Sequence, residues 1–166
     1  MDQSVAIKTF FANLNGLKSG QRAALKRSAG VMLSGADARA LAAFYRALPP
    51  DVFTSEEPKW FAAACFACMW DPAENFGRPM EQLLGELIRM DDLSDSMQHR
   101  VEILMDMEWN ADGYMLTKLS RMVKMLRQKI LEVPDFAELL SDLRCWNYED
   151  QRIQKKWARA IFGSEE

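Results

Sequence analysis

LTKLSRMVKMLRQKI, residues 116–130, is the stretch whose reading settles the fold class. At about 100° per residue, Leu116, Leu119, Met122, Val123, Leu126 and Ile130 fall on one arc of a helix. Lys118, Arg121, Lys124 and Arg127 fan across the opposite half, with no acid among them. The same division recurs in DQRIQKKWARAIF, residues 150–162. There Arg152, Lys155, Lys156 and Arg159 occupy roughly one third of the circle, and Ile153, Trp157, Ala160 and Ile161 make the other face. Each segment has an apolar side for a core and a cationic side for something outside. A solvated face is the bland alternative. Solvated helices usually interleave acids, because like charges at i,i+4 repel. These faces lack that compensation in a chain of net charge −3, which points to a phosphate backbone lying against them.

Outward from this helix the pattern stays helical, and no segment alternates as a strand would. The spacing predicts helices over 2–14, with Asp2 as cap and Gly16 as stop, and then from Ser19 through GQRAALKRSAGVML. A third begins at Ser34 or Asp37 and ends at Leu48 before Pro49-Pro50. SEEPKWFAAACFACMW, residues 55–70, is apolar on nearly every side, so it belongs at the centre, with Ser55 as cap and Pro58 in the first turn. Five more follow, over 79–90, 94–107, 112–131, 135–146 and 149–162, with Asp135 placed to cap the eighth. The expectation is an all-α fold, a compact bundle of about nine helices in one domain, 1–166. If the chain divides into two helical lobes, DPAENFGRP at 71–79 is the boundary. Trp146 and Trp157 are expected to pin the last two helices together.

Charge divides the chain into three zones. Residues 1–46 hold seven Lys/Arg against two acids, 47–117 four against fourteen, and 118–166 ten against eight. A bipolar molecule follows, with nucleic acid on one face and a protein or water on the other. The chain is 49% hydrophobic, enough for a core and too apolar for disorder. It has no run of about 18 uncharged apolar residues, so no membrane span is expected. MDQSVAIKTFFANL lacks the pattern of a signal peptide, and three cysteines without a secretory signal suit a reducing, cytoplasmic setting.

Several motifs suggest chemistry and do not carry it. Cys65 and Cys68 form a C-x-x-C, but they lie in an apolar helix with only His99 and Cys145 to complete a zinc site. They read as small buried hydrophobes. His99, the sole histidine, has no nucleophile or orienting partner at a telling spacing. Asp91, Asp92 and Asp95 cluster at a helix junction, where aspartate serves as cap and turn former. No phosphate loop, zinc helix or nucleophile elbow is present. The reading is no catalytic residue, no metal and no cofactor.

Two motifs resemble a known family. SGQRAALKRSAGVML at 19–33 resembles the Gly-x-Arg-Ala-Ala-Leu-Arg-Arg stretch of the CasB family, the small subunit of the type I-E CRISPR surveillance complex, Cascade. VPDFAELLSDLRCWNYEDQRIQKKWARAIF at 133–162 resembles that family's C-terminal signature, with FYRALP at 44–49 and HRVEILMDM at 99–107 fitting more loosely. The resemblance implies an all-α, non-catalytic protein, two copies per complex, lining the arch beside the other Cascade subunits. It would hold crRNA and target DNA, including the displaced strand of the R-loop. By motif position, Arg22, Lys26, Arg27, Arg100, Arg121, Lys124, Arg144, Arg152, Lys155 and Arg159 stand at the family's basic sites. Lys118, Arg127 and Lys156 join them from the helical pattern alone. Lys26 stands where arginine is usual, which keeps charge and loses bidentate geometry.

The family pattern does not explain the acidic zone 47–117. Two other readings therefore stand beside it. One is a helical adaptor that docks a basic partner through the acidic middle and has no nucleic-acid role. The other is an all-α hydrolase using Asp91, Asp92, Asp95 and a metal.

Overall fold

The structure, a computed structural model, describes residues 3–70, 77–90 and 94–163. Asp2, Asp91, Asp92 and residues 71–76 of the proposed joint lie outside the described residues. Among the described residues the regular structure is helical: α1 Gln3–Asn15, α2 Ser19–Arg27, α3 Ala38–Ala47, α4 Glu57–Ala67, α5 Met80–Ile88, α6 Ser94–Met105, α7 Tyr114–Lys129, α8 Phe136–Arg144 and α9 Arg152–Phe162. Short 3-10 turns occupy Leu33–Gly35 and Thr54–Glu56. The all-α expectation holds.

Two caps act as the sequence implies. Asp37 accepts a hydrogen bond from the Ala40 N–H at 2.9 Å, and Asp135 accepts one from the Glu138 N–H at 3.0 Å. Ser55 does not cap α4; it lies inside the 3-10 turn that precedes the helix. The second helix is shorter than its apolar pattern suggests, because Gly30 takes a left-handed φ of 90° and turns the chain away. A side chain there would strike Ser120 on α7, so this turn also sets how closely the end of α2 approaches α7.

The centre of the molecule is α4, as its all-round apolar sequence requires. Every residue from Trp60 to Ala67 is buried. Its alanines let neighbouring backbones come close, and it packs against α2, α7 and α8. An aromatic nest anchors its first turns: the Phe10 ring meets Trp60 edge-on at 5.1 Å and Phe44 at 6.1 Å between centroids. Buried apolar side chains from all nine helices join one contiguous cluster, on both sides of 71–79. Cys65 and Cys68 lie within it, and burial pushes the Cys65 thiol well above its ordinary range.

One tertiary joint has no local signal in the sequence. Arg78 pairs its backbone with the 133–135 segment: its N–H donates to the Val133 carbonyl at 3.2 Å, and its own carbonyl accepts from the Asp135 N–H at 2.8 Å. Gly77 is needed there, since a Cβ would run into the Val133 carbonyl. The Arg78 guanidinium then bridges Glu86 on α5 and Glu132. This fastens the start of α5 to the entrance of α8.

Candidate nucleic-acid interface

The long helix α7 turns Leu116, Leu119, Met122, Val123 and Leu126 into the core. That orientation forces its basic residues outward. Helix α6 packs alongside, burying Met97, Val101 and Leu104. Between the two helices opens a cleft of about 280 Å³ lined by Arg100, Lys118 and Arg121 over Met97 and Met122. None of these three cations has a carboxylate partner among the described residues. Three positive groups converging on one small cleft, without internal neutralisation, form an anion-attracting site.

Farther along α7 the surface remains basic. Lys124 reaches the Gly30 turn, with Nζ 3.8 Å from where a Cβ on Gly30 would stand. The last turn of α2, carrying the exposed Lys26 and Arg27, leads into that same turn. The close approach at Gly30 therefore places the basic end of α2 beside α7. Sequence alone does not show this, because the contact spans some ninety residues of chain.

Other expected site residues are engaged within the protein. Arg22 donates to the carbonyls of Asn15 and Leu17, at 3.0 and 2.6 Å, and so closes the α1–α2 turn. Arg127 donates to the Met69 carbonyl at 3.0 Å and lies over the Trp70 ring, tying α7 to the end of α4. Arg144 pairs with Glu56 at 3.4 Å. Arg152 stacks on Tyr148 and donates to the Cys145 sulfur at 3.1 Å.

Lys156 requires a correction. The helical pattern puts it on an outward cationic face with Arg152, Lys155 and Arg159, and instead it turns into a cluster. Its ammonium lies 2.6 Å from Asp142, 3.0 Å from Glu138 and 3.4 Å from Glu81. Trp157 is fully buried beside it and donates its indole N–H to the other Asp142 oxygen at 2.9 Å. Burial pushes Glu81 and Asp142 above the ordinary carboxylate range, against the pull of Lys156. Burial also works against the Lys156 charge, but hydrogen bonds to Asp142 and Glu138 outweigh it and hold the ammonium above its usual range. Glu81, Glu138 and Asp142 are spaced closely enough to hold a metal ion, yet the lysine itself supplies the cation. Lys156 is thus the fastener of α9 to α5 and α8. Trp146 and Trp157 complete it, edge to face at 5.1 Å. Lys155 and Arg159 remain exposed on α9 without ion-pair partners among the described residues.

One basic feature escapes sequence reasoning. Lys18 and Arg46 line a shared cleft of about 430 Å³ between the α1–α2 turn and α3. The excess positive charge of residues 1–46 is its only signal. His99 is exposed on α6 and lines none of these clefts.

The fold and this surface can be set beside known proteins. A family model described as CRISPR-associated protein Cse2 matches residues 21–162. No curated protein sequence matches. Among solved structures, a Cse2-family CRISPR-associated protein from Thermus thermophilus is 24% identical with a TM-score of 0.78, covering 99% of this chain and 100% of its own. A structure of CasB from the same organism is 25% identical at a TM-score of 0.73, with coverage of 99% and 100%. A chain of a CRISPR RNA-guided surveillance complex is 20% identical at 0.74, covering 97% and 94%. With the family match spanning most of its length and the fold agreeing end to end, the chain belongs to the Cse2 family of CRISPR-associated proteins, the CasB family that its terminal motifs resemble.

Proposed function

We propose that this chain is a non-catalytic subunit of a type I-E CRISPR surveillance complex, where it holds guide RNA and target DNA by their phosphates and steadies the displaced strand. The observation that carries the reading is the α6–α7 cleft, where Arg100, Lys118 and Arg121 meet without a carboxylate partner among the described residues. Lys124, Lys26 and Arg27 extend that surface along α7 and across the Gly30 turn, and Lys155 and Arg159 offer a second basic face on α9. Family membership supports the setting, since one structure sharing the fold is a chain of a CRISPR RNA-guided surveillance complex.

The chemistry suits the task. In RNA-guided recognition, base pairing reads sequence, so an accessory subunit needs only to attract backbone. Lys and Arg spread along helices position a strand without specifying it. The cleft floor is methionine and its walls hold no exposed aromatic ring, which favours charge over base stacking. Single-strand binding measured against salt tests the reading. If about five phosphates are neutralised, log affinity falls with log salt at a slope of about −3.5. Binding that is independent of salt, or metal-dependent cleavage that tracks the protein, would refute it.

A further inference from the structure

The acidic part of the surface contains a groove that the phosphate reading does not use. The 3-10 turns Leu33–Gly35 and Thr54–Glu56 and the loop before α7 enclose a groove of about 520 Å³. Met32, Leu33, Pro58 and Trp109 give it apolar walls, and Tyr45 and Glu57 stand on one side. Tyr45 donates to the Glu57 carboxylate at 2.8 Å, which fixes that carboxylate against a half-exposed ring. Phe53, which immediately precedes the lining residues Thr54 and Ser55, is 73% exposed and free to meet a partner seated beside the groove.

Charge identifies the occupant. Glu57 lines the groove and no lysine or arginine does. In the bordering chain Asp51 and Asp112 add negative charge, while Glu56 is already paired with Arg144. Arg46, next to Tyr45 in sequence, faces a different cleft with Lys18. Phosphate is repelled here. A guanidinium is favoured, because Glu57 offers a charge-assisted hydrogen bond and Tyr45 a ring face. The groove's volume and apolar walls require more than an ion. We infer that this groove docks a segment of a neighbouring protein subunit in which an arginine stands beside an apolar side chain. Arginine, aromatic and methionine contacts are the residue types that concentrate at the centres of such interfaces. The chain would then be two-sided, with backbone phosphate on the α6–α7 face and protein in this groove. The inference does not depend on nucleic-acid binding by the α6–α7 cleft.

The test places a benzophenone photo-crosslinking residue at position 53 in the complex assembled from all its subunits. Mass spectrometry then locates the attachment. The expected result is a peptide of a different subunit with an arginine within a few residues of the crosslink. Glu57→Lys should lower its yield by at least about tenfold, the loss expected from about 1.4 kcal/mol. The isolated variant should keep its helical spectrum and its single-strand binding, which separates this result from failure of the phosphate reading. Attachment to RNA or DNA, attachment to a second copy of this chain, or a yield no higher than from the same probe at the exposed Leu131 would overturn the inference.

Discussion

Helices α7 and α9 present similar alternations of apolar and basic residues, but the fold uses them differently. On α7 the cations Lys118, Arg121 and Lys124 have no carboxylate partner among the described residues and face a cleft or open surface. On α9, Lys156 is held by three carboxylates and Arg152 lies on Tyr148, which leaves Lys155 and Arg159 outward. The lesson concerns where acids come from. A scan for local i,i+4 partners finds none on either helix. The acids that claim Lys156 come from α5 and α8, so the absence of local compensation does not mean that a cation is available.

Substitutions can break or sharpen this contrast. The largest effect is expected at the base of α9. Trp157→Ala removes a fully buried indole and its bond to Asp142, and should cost about 3–5 kcal/mol in urea unfolding. An α7 surface change of the same chemical class has no such counterpart.

Next comes Lys156→Met. Breaking a buried ion pair typically costs about 3–5 kcal/mol, but this side chain is 37% exposed, so about 2 kcal/mol is expected at neutral pH. The sign with pH follows from the cluster. In the natural chain Lys156 titrates above its ordinary range, so its contribution is present at neutral pH and lost only in strong alkali. Glu81 and Asp142 titrate above theirs, so their protonated forms favour folding and that benefit fades as pH rises through the raised values. Without the ammonium, three crowded carboxylates repel at neutral pH and relax once protonated. The deficit of Lys156→Met should therefore shrink in mildly acidic buffer, as measured by urea midpoints at the two pH values. A deficit that grows with acid would assign Lys156 a different role.

The smallest stability effect belongs to the free cations. Lys118→Ala and Lys124→Ala should change unfolding by less than about 0.5 kcal/mol, since neither side chain holds a carboxylate within the described residues. Each should still weaken single-strand binding, to all sequences alike. A large stability loss would show that α7, like α9, commits its charge internally.

How far the sequence can be read follows the same divide between local and distant causes. Helix periodicity, the Asp37 and Asp135 caps, the central position of 55–70 and the Trp146–Trp157 contact all arise from residues near one another or from burial pattern. The early end of α2 is hidden, since Gly30 needs its left-handed turn to meet Ser120, some ninety residues away. The same holds for Lys156, whose partner Glu81 lies on α5, and for the Arg78 joint to 133–135. The cleft formed by Arg100 and Lys118 with Arg121 is half legible. Each residue stands out by its helix or motif position, but only packing of α6 on α7 brings them together.

The most direct test of the account is the salt dependence of single-strand binding by Arg100→Glu with Arg121→Glu, beside the natural chain. Both substitutions sit on exposed positions without ion pairs among the described residues, so the fold should survive, as a helical spectrum would verify. With two fewer phosphates neutralised, the slope of log affinity against log salt should flatten by about 1.4, with weaker binding of every sequence tested. A folded variant that binds like the natural chain at each salt concentration, with an unchanged slope, would contradict the claim that this cleft holds the nucleic-acid backbone.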